Sequence, residues 1–146
     1  MTNVFTLDYE TRLRSWATLR DKIPELTPDQ ICIEVEAFWQ RVPLMNHYLH
    51  TDYIKDWPDP WQLINDNLYC YYGRALGMIY TLILTGTKNI ELVEAIDDNS
   101  NEVVLVLVEN AKYVLNYWPN TVISNNLQDF KIVQQLDITI INKKIG

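Results

Sequence analysis

The amino-acid sequence predicts an α+β domain, with N-terminal helices and a central core helix packed on a small antiparallel sheet. Two observations carry that reading. Apolar residues fall at helical spacing, with start and stop signals, as far as Leu84, and β-branched runs separated by turn clusters take over from Ile90. A third bounds it: 146 residues that are 48% hydrophobic are enough for one core. The whole chain, 1–146, is read as one domain, with a helical N-terminal part (1–46), a core (53–118) and a C-terminal extension (119–146).

The first helix is expected from about Asp8 to Ile23, with Leu13, Trp16, Ala17 and Leu19 at near-helical spacing and Pro24 ending the pattern. Thr27, Pro28 and Gln30 form a start signal for the second: an N-cap, a proline at the first helical position and the distal member of a capping box. Its apolar stripe is Ile31, Val35, Phe38, Trp39 and Val42, and Pro43 stops it. A polar and aromatic linker follows, then a short helix from Asp59-Pro60 through Ile64. Asn65-Asp66-Asn67 offers N-cap side chains for the core helix, expected from Leu68 unless one helix runs straight through, with Leu68, Tyr72, Ala75, Ile79 and Leu82 on its buried face and Gly86 as its cap.

Strands are expected at Ile90–Ile96, at Val103–Val108 (an unbroken apolar run, suited to a central strand) and at Lys112–Trp118 after a tight turn at Asn110-Ala111. Val122-Ile123, Phe130–Val133 and Ile138–Ile141 are compatible with further strands, the last two at an edge.

Composition narrows function by exclusion. A net charge of -7, with Lys143-Lys144 as the nearest thing to a basic patch, argues against nucleic acid or an anionic membrane as the partner. The N-terminus has neither a basic region nor an apolar run, so no signal peptide is expected. The longest apolar stretch, Ala75–Leu84, is too short to span a bilayer. The expected location is the cytoplasm, or a particle assembled there. With four glycines there is no phosphate-cradling loop, and no cofactor is expected. Abundant Asn, Ile and Tyr fit an AT-rich genome such as that of many phages.

Two cysteines remain, Cys32 and Cys70. Cys32 sits among apolar helix neighbours and reads as a small buried hydrophobe. Cys70 stands at the head of the core helix, behind Trp57-Pro58-Asp59-Pro60-Trp61, with strands after it that could present a base.

From Tyr53 to Trp118 the chain resembles the core of the transglutaminase-like superfamily within the papain-like thiol group. Trp57-Pro58-Asp59-Pro60-Trp61-Gln62-Leu63-Ile64 is similar to that family's lead-in, Asn67-Leu68-Tyr69-Cys70 occupies its nucleophile position, and Arg74-Ala75-Leu76-Gly77 its small-residue stretch. The resemblance implies a histidine on the strand Asn101–Val106 and an acid or Asn at the end of the next, where Asn116 stands. The chain departs from the pattern at three places. Tyr69 replaces the glycine before the Cys, the small residue after it falls one place late, and Asn101 or Glu102 stands where the histidine belongs.

That last departure bears on the chemistry. A thiol attacks as thiolate and needs a proton donor for its leaving group, both normally served by imidazole. A carboxylate such as Glu102 would disfavour thiol ionisation. The expected function is therefore that of a catalytically inactive domain, a structural or accessory protein acting through protein contacts. The partner is expected to be a protein, a second copy of this chain included.

Two alternatives stand beside it. In one, Cys70 is the nucleophile of an active thiol hydrolase or acyltransferase, with His47 or His50 folding back from the linker as base. In the other, the vestigial cleft binds a small molecule. The aromatic residues Trp57, Trp61, Tyr71, Tyr72 and Trp118, together with Glu102, are the candidate binding residues, since exposed rings anchor partners. The spacing His47-x-x-His50-x-Asp52 is set aside as a metal site because no fourth ligand is in view.

Overall fold

The computed structural model describes residues 3–45, 49–118, 121–124 and 129–145. Its elements run α1 (Tyr9–Lys22), α2 (Pro28–Trp39), α3 (Pro60–Asp66), α4 (Tyr71–Leu84), β1 (Glu91–Ile96), β2 (Glu102–Val108), β3 (Tyr113–Trp118), β4 (Thr121–Ser124), β5 (Lys131–Leu136) and α5 (Ile138–Lys143). The strands form one sheet in the order β4-β3-β2-β1-β5, with antiparallel neighbours throughout. The class is α+β, as the sequence predicts.

Local signals explain most element ends. The Asp8 side chain accepts from the Thr11 amide to open α1, and Thr27 with Gln30 forms the capping box of α2. Asp59 and Gln62 make a second such box at α3. Asn67 closes α3 in the left-handed region (φ 54°) rather than opening the next helix, Cys70 caps α4, and α4 begins about one turn later than expected. Leu68 is 47% exposed, not core. Gly86, at φ +93°, receives the chain as it leaves α4, a conformation that costs glycine little.

The expected edge strand at Ile138–Ile141 is instead the start of α5. The Asp137 side chain accepts from the Thr139 amide, and Ile141 is buried, so a capped helical turn that buries an isoleucine outweighs the strand preference of its β-branched residues.

The helices cover one face of the sheet: α4 lies on β2 and β3, and α2 on β3 and β4. β2 is central, and both faces carry buried side chains, Val106 and Val108 toward the helices, Leu105 and Leu107 away from them. Within the helical layer one hydroxyl joins three elements. Thr81 Oγ1 in α4 accepts from the indoles of Trp16 (2.9 Å) and Trp39 (3.0 Å) and donates to the Gly77 carbonyl (2.8 Å). Gly77 lets this happen: a Cβ there would lie 2.5 Å from carbons of the Trp39 ring.

Gly77→Ala is therefore expected to cost about 1–3 kcal/mol through overpacking. Gly73→Ala, whose added methyl would sit at 3.6 Å or more from its neighbours, should stabilise by up to about 1 kcal/mol through helix propensity. Urea denaturation midpoints of the two variants check this ordering.

Candidate functional site

Cys70 is the N-cap of α4, extended at φ -109° and ψ -175°, and its carbonyl accepts from the Arg74 amide at 3.0 Å. Its neighbour Tyr69 fixes the approach. That residue is fully buried against Phe5 and Trp39, its hydroxyl donates to the Leu63 carbonyl at 3.3 Å, and its backbone pairs with Leu44. A buried ring thus stands at the position where the resemblance implies glycine. Cys70 itself is 1% exposed. Cys32 is buried as expected, and desolvation pushes its thiol up to about 12, so it stays protonated.

Behind the start of α4 lies a polar network inside the core. Arg74 Nε donates to Asn116 Oδ1 (2.5 Å) and Nη1 to Gln40 Oε1 (2.9 Å). The Asn116 backbone N–H donates to Glu36 Oε1 (2.7 Å), and Gln40 Nε2 donates to the other oxygen of the same carboxylate. The Asn116 amide donates further to the carbonyls of Val104 (2.8 Å) and Tyr71 (3.2 Å). Arg74, Glu36 and Asn116 are all buried. Burial pushes the Glu36 carboxyl up, while the bonds from Asn116 and Gln40 and the charge of Arg74 oppose that shift. Burial likewise pulls Arg74 down, with Glu36 opposing.

Asn116 adopts φ 72°, a left-handed conformation that asparagine tolerates better than most residues. The β2–β3 ladder is paired from Val108↔Tyr113 to Val106↔Leu115, and the register of β3 against β4 shifts around this point. The Asn116 amide reaches Val104 where the ladder bonds stop, so its side chain stands in for a backbone rung.

These residues border a cleft of about 750 Å³ where β1 ends, β2 begins, β3 ends and α4 starts. Tyr71, Tyr72, Glu102 and Asn116, all read from the sequence as site residues, line it together. Cys70 is not among the lining residues. The Asp97 carboxylate organises the β1–β2 turn: one oxygen accepts the amides of Asn99 and Asn101, the other the Asn101 side chain and the Tyr117 hydroxyl (2.7 Å). These bonds, that from the Asn101 amide foremost, hold Asp97 below the usual carboxylate range. Asn101, at one of the two positions where the resemblance implies histidine, is thus engaged with Asp97. Glu102 is exposed beside it.

The remaining candidates lie elsewhere. Trp57 is buried, tilted against Tyr72 at 5.5 Å, with its indole donating to the His50 carbonyl at 3.0 Å. His50 is exposed, packs edge-on to Tyr53, and with Trp57 lines a separate hollow of about 430 Å³. Trp61 is partly exposed and meets Trp16 edge-on at 6.4 Å. Trp118 ends β3, and its side chain, like His47, lies outside the described residues. Sequence reasoning missed Glu36, Gln40, Arg74 and Asp97. A signal existed for two of them: Glu36 falls between Val35 and Phe38 on an apolar helix, and Arg74 interrupts another, so two opposite charges sit in segments otherwise built for burial.

No family model matches the chain, and no curated protein matches it with significance. Solved structures do. LapG of Legionella pneumophila superposes with a TM-score of 0.71 at 15% identity, over 88% of this chain and 74% of that one. The calcium-bound form of LapG gives 0.73 at 15% identity, over 90% and 77%. Its EGTA-treated form gives 0.71, over 88% and 74%. The fold is similar to that of LapG. At that identity the likeness concerns the fold alone. No helix among the described residues is long and apolar enough to cross a membrane.

The depressed Asp97 carboxyl has a pH consequence. Its folded-state value lies below its unfolded one, so its stabilising contribution is present above the ordinary carboxylate range and is lost as pH falls through and below it. Asp97→Asn should therefore lower the denaturation midpoint at pH 7, and the gap to the parent protein should narrow toward pH 3. Midpoints measured across that range check the sign.

Proposed function

We propose that this chain is a catalytically inactive transglutaminase-like domain that works as a structural or accessory protein through contacts with other proteins. The observation that carries this reading is the commitment of Asn116. In the resembling family the residue at this position orients an imidazole; here its side-chain groups are bonded to Arg74, Val104 and Tyr71. Two further facts support it. Cys70 is 1% exposed, and the cleft at the start of α4 has no imidazole among its lining residues.

Without a base, a cysteine loses most of its hydrolytic or acyl-transfer power, because the proton that imidazole moves has no carrier. A cleft that keeps its shape without its proton carrier is suited to recognition. Its proposed location is the cytoplasm or a phage particle, the latter because the Asn-, Ile- and Tyr-rich composition fits an AT-rich genome such as that of many phages.

Alkylation tests the reading. Native protein at pH 7 is treated with iodoacetamide, and modification of Cys70 is followed by peptide mass mapping against protein unfolded in urea. Slower modification in the native protein is the expected result. Modification faster than in the unfolded control would indicate an activated thiolate and an active enzyme.

A further inference from the structure

We propose that the buried relay of Glu36, Gln40, Arg74 and Asn116 is a proton-driven switch: when Glu36 takes up a proton, Arg74 is released from the core toward the cleft at the start of α4. The switch does not require the domain to be inert, so it stands apart from the protein-contact reading.

Donor and acceptor chemistry fixes the direction of the relay. An arginine only donates and an ionised carboxylate only accepts, so the Gln40 amide between them has one workable orientation. Its Nε2 donates to Glu36, and its Oε1 accepts from Arg74 Nη1 at 2.9 Å. The other Glu36 oxygen accepts from the Asn116 backbone N–H at 2.7 Å. Both groups bonded to this carboxylate are donors, an arrangement that suits the ionised form.

A proton on Glu36 reverses one link. The new O–H needs an acceptor, and the Asn116 N–H cannot be one. Gln40 can, by turning its amide over, but its NH₂ group then faces the Arg74 donor. The conflict passes from Glu36 to Arg74, and the buried guanidinium loses its counter-charge in the same event. Arg74 keeps Asn116 Oδ1 at 2.5 Å and the Tyr71 ring, whose centroid is 5.2 Å from the guanidinium carbon. Arg74 is 5% exposed, whereas Tyr71 is 56% exposed and lines the cleft, so the ring marks the short way from core to water.

The other ionisable groups around Glu36 are engaged or uncharged. On α2, Glu34 pairs with Lys22 of α1 at the surface, Asp29 accepts from the Thr27 hydroxyl, and the Cys32 thiol is protonated. From α4 come Arg74 and the Tyr71 phenol, and β3 brings Tyr113 into the same core. Neither β4 nor the turn Val4–Thr6, whose Phe5 packs on Phe38 and Trp39, contains an ionisable side chain.

Burial sets where the switch acts. Desolvation pushes the Glu36 carboxyl up, against the bonds from Asn116 and Gln40 and the charge of Arg74. Its folded value thus lies above its unfolded one. The stability this site contributes is present below the ordinary carboxylate range and is lost as pH rises through the folded value. Glu36 therefore takes up its proton within the folded protein, not through unfolding.

The test uses the full chain, labelled with ¹³C and ¹⁵N and titrated by NMR from pH 8 down to pH 4. The Glu36 carboxyl carbon should titrate with a midpoint above the ordinary carboxylate range. Asp97, held below that range, is resolved from it. Through the Glu36 midpoint the Gln40 side-chain amide, the Asn116 backbone amide and the Tyr71 ring resonances should shift. Protection of Arg74 Nε–H against exchange should fall at least about tenfold there. Glu36→Gln is an uncharged isostere whose amide can donate to Gln40. It should show the low Arg74 protection already at pH 7, with no titration at Arg74 or Asn116. Its spectrum reports whether the fold is kept, and the titration of the parent protein decides the matter if it is not. The proposal is overturned by a Glu36 carbon that titrates within or below the ordinary range, or by Arg74 protection unchanged across the Glu36 midpoint. An Arg74 titration that survives in Glu36→Gln overturns it as well.

Discussion

Burying a carboxylate and a guanidinium in a chain this small costs several kcal/mol per ion unless every remaining donor and acceptor is met. Glu36 and Arg74 meet that condition through Gln40 and Asn116, which relay the interaction between them by hydrogen bonds. The four residues come from α2 and its C-cap, α4 and β3, and the Asn116 amide adds β2 through Val104. Apolar packing is tolerant of small displacements, while this relay demands specific distances. It therefore sets how the helical layer is registered on the sheet, and the conformation of Asn116 follows from it. A residue whose backbone N–H must face Glu36 while its side chain faces Arg74 and Val104 is drawn out of the extended region, and asparagine accommodates the left-handed alternative.

The same relay shapes the cleft. Because Asn116 leaves the regular ladder, β3 and β2 part at this end of the sheet, and Tyr71, Tyr117 and the Asp97 turn border the opening. Two of the polar groups where the resemblance implies an imidazole and its orienting partner have local bonding roles. Asn116 serves the core, and Asn101 serves Asp97. Tyr69 likewise turns the approach to Cys70 into core packing. These groups are thus held in the fold by packing and hydrogen bonds within the chain.

Much of the fold was legible because its signals are local. The capping box at Thr27 and Gln30, the prolines at Pro24 and Pro43, and the apolar run of β2 each act within a few residues. Where two local signals compete, tertiary burial decides. Asn67 can open one helix or close another, and it closes α3; Ile138–Ile141 can be strand or helix, and the Asp137 cap with a buried Ile141 makes it helix. The site was legible only in part. Tyr71, Tyr72, Glu102 and Asn116 line one cleft because the order of helix and strands brings the start of α4, the start of β2 and the end of β3 together. Arg74 and Glu36 are 38 positions apart, and their link through Gln40 and Asn116 depends on the packing angle of two helices, which no spacing rule encodes.

The coupling between Arg74 and Asn116 tests the account most directly. Arg74→Met, Asn116→Ala and the double variant, unfolded in urea beside the parent protein, form a thermodynamic cycle. The account expects the two substitutions to be strongly non-additive, with a coupling of about 1–3 kcal/mol, because either one alone leaves buried polar groups without partners. Additive losses, or a coupling below about 0.5 kcal/mol, would contradict it.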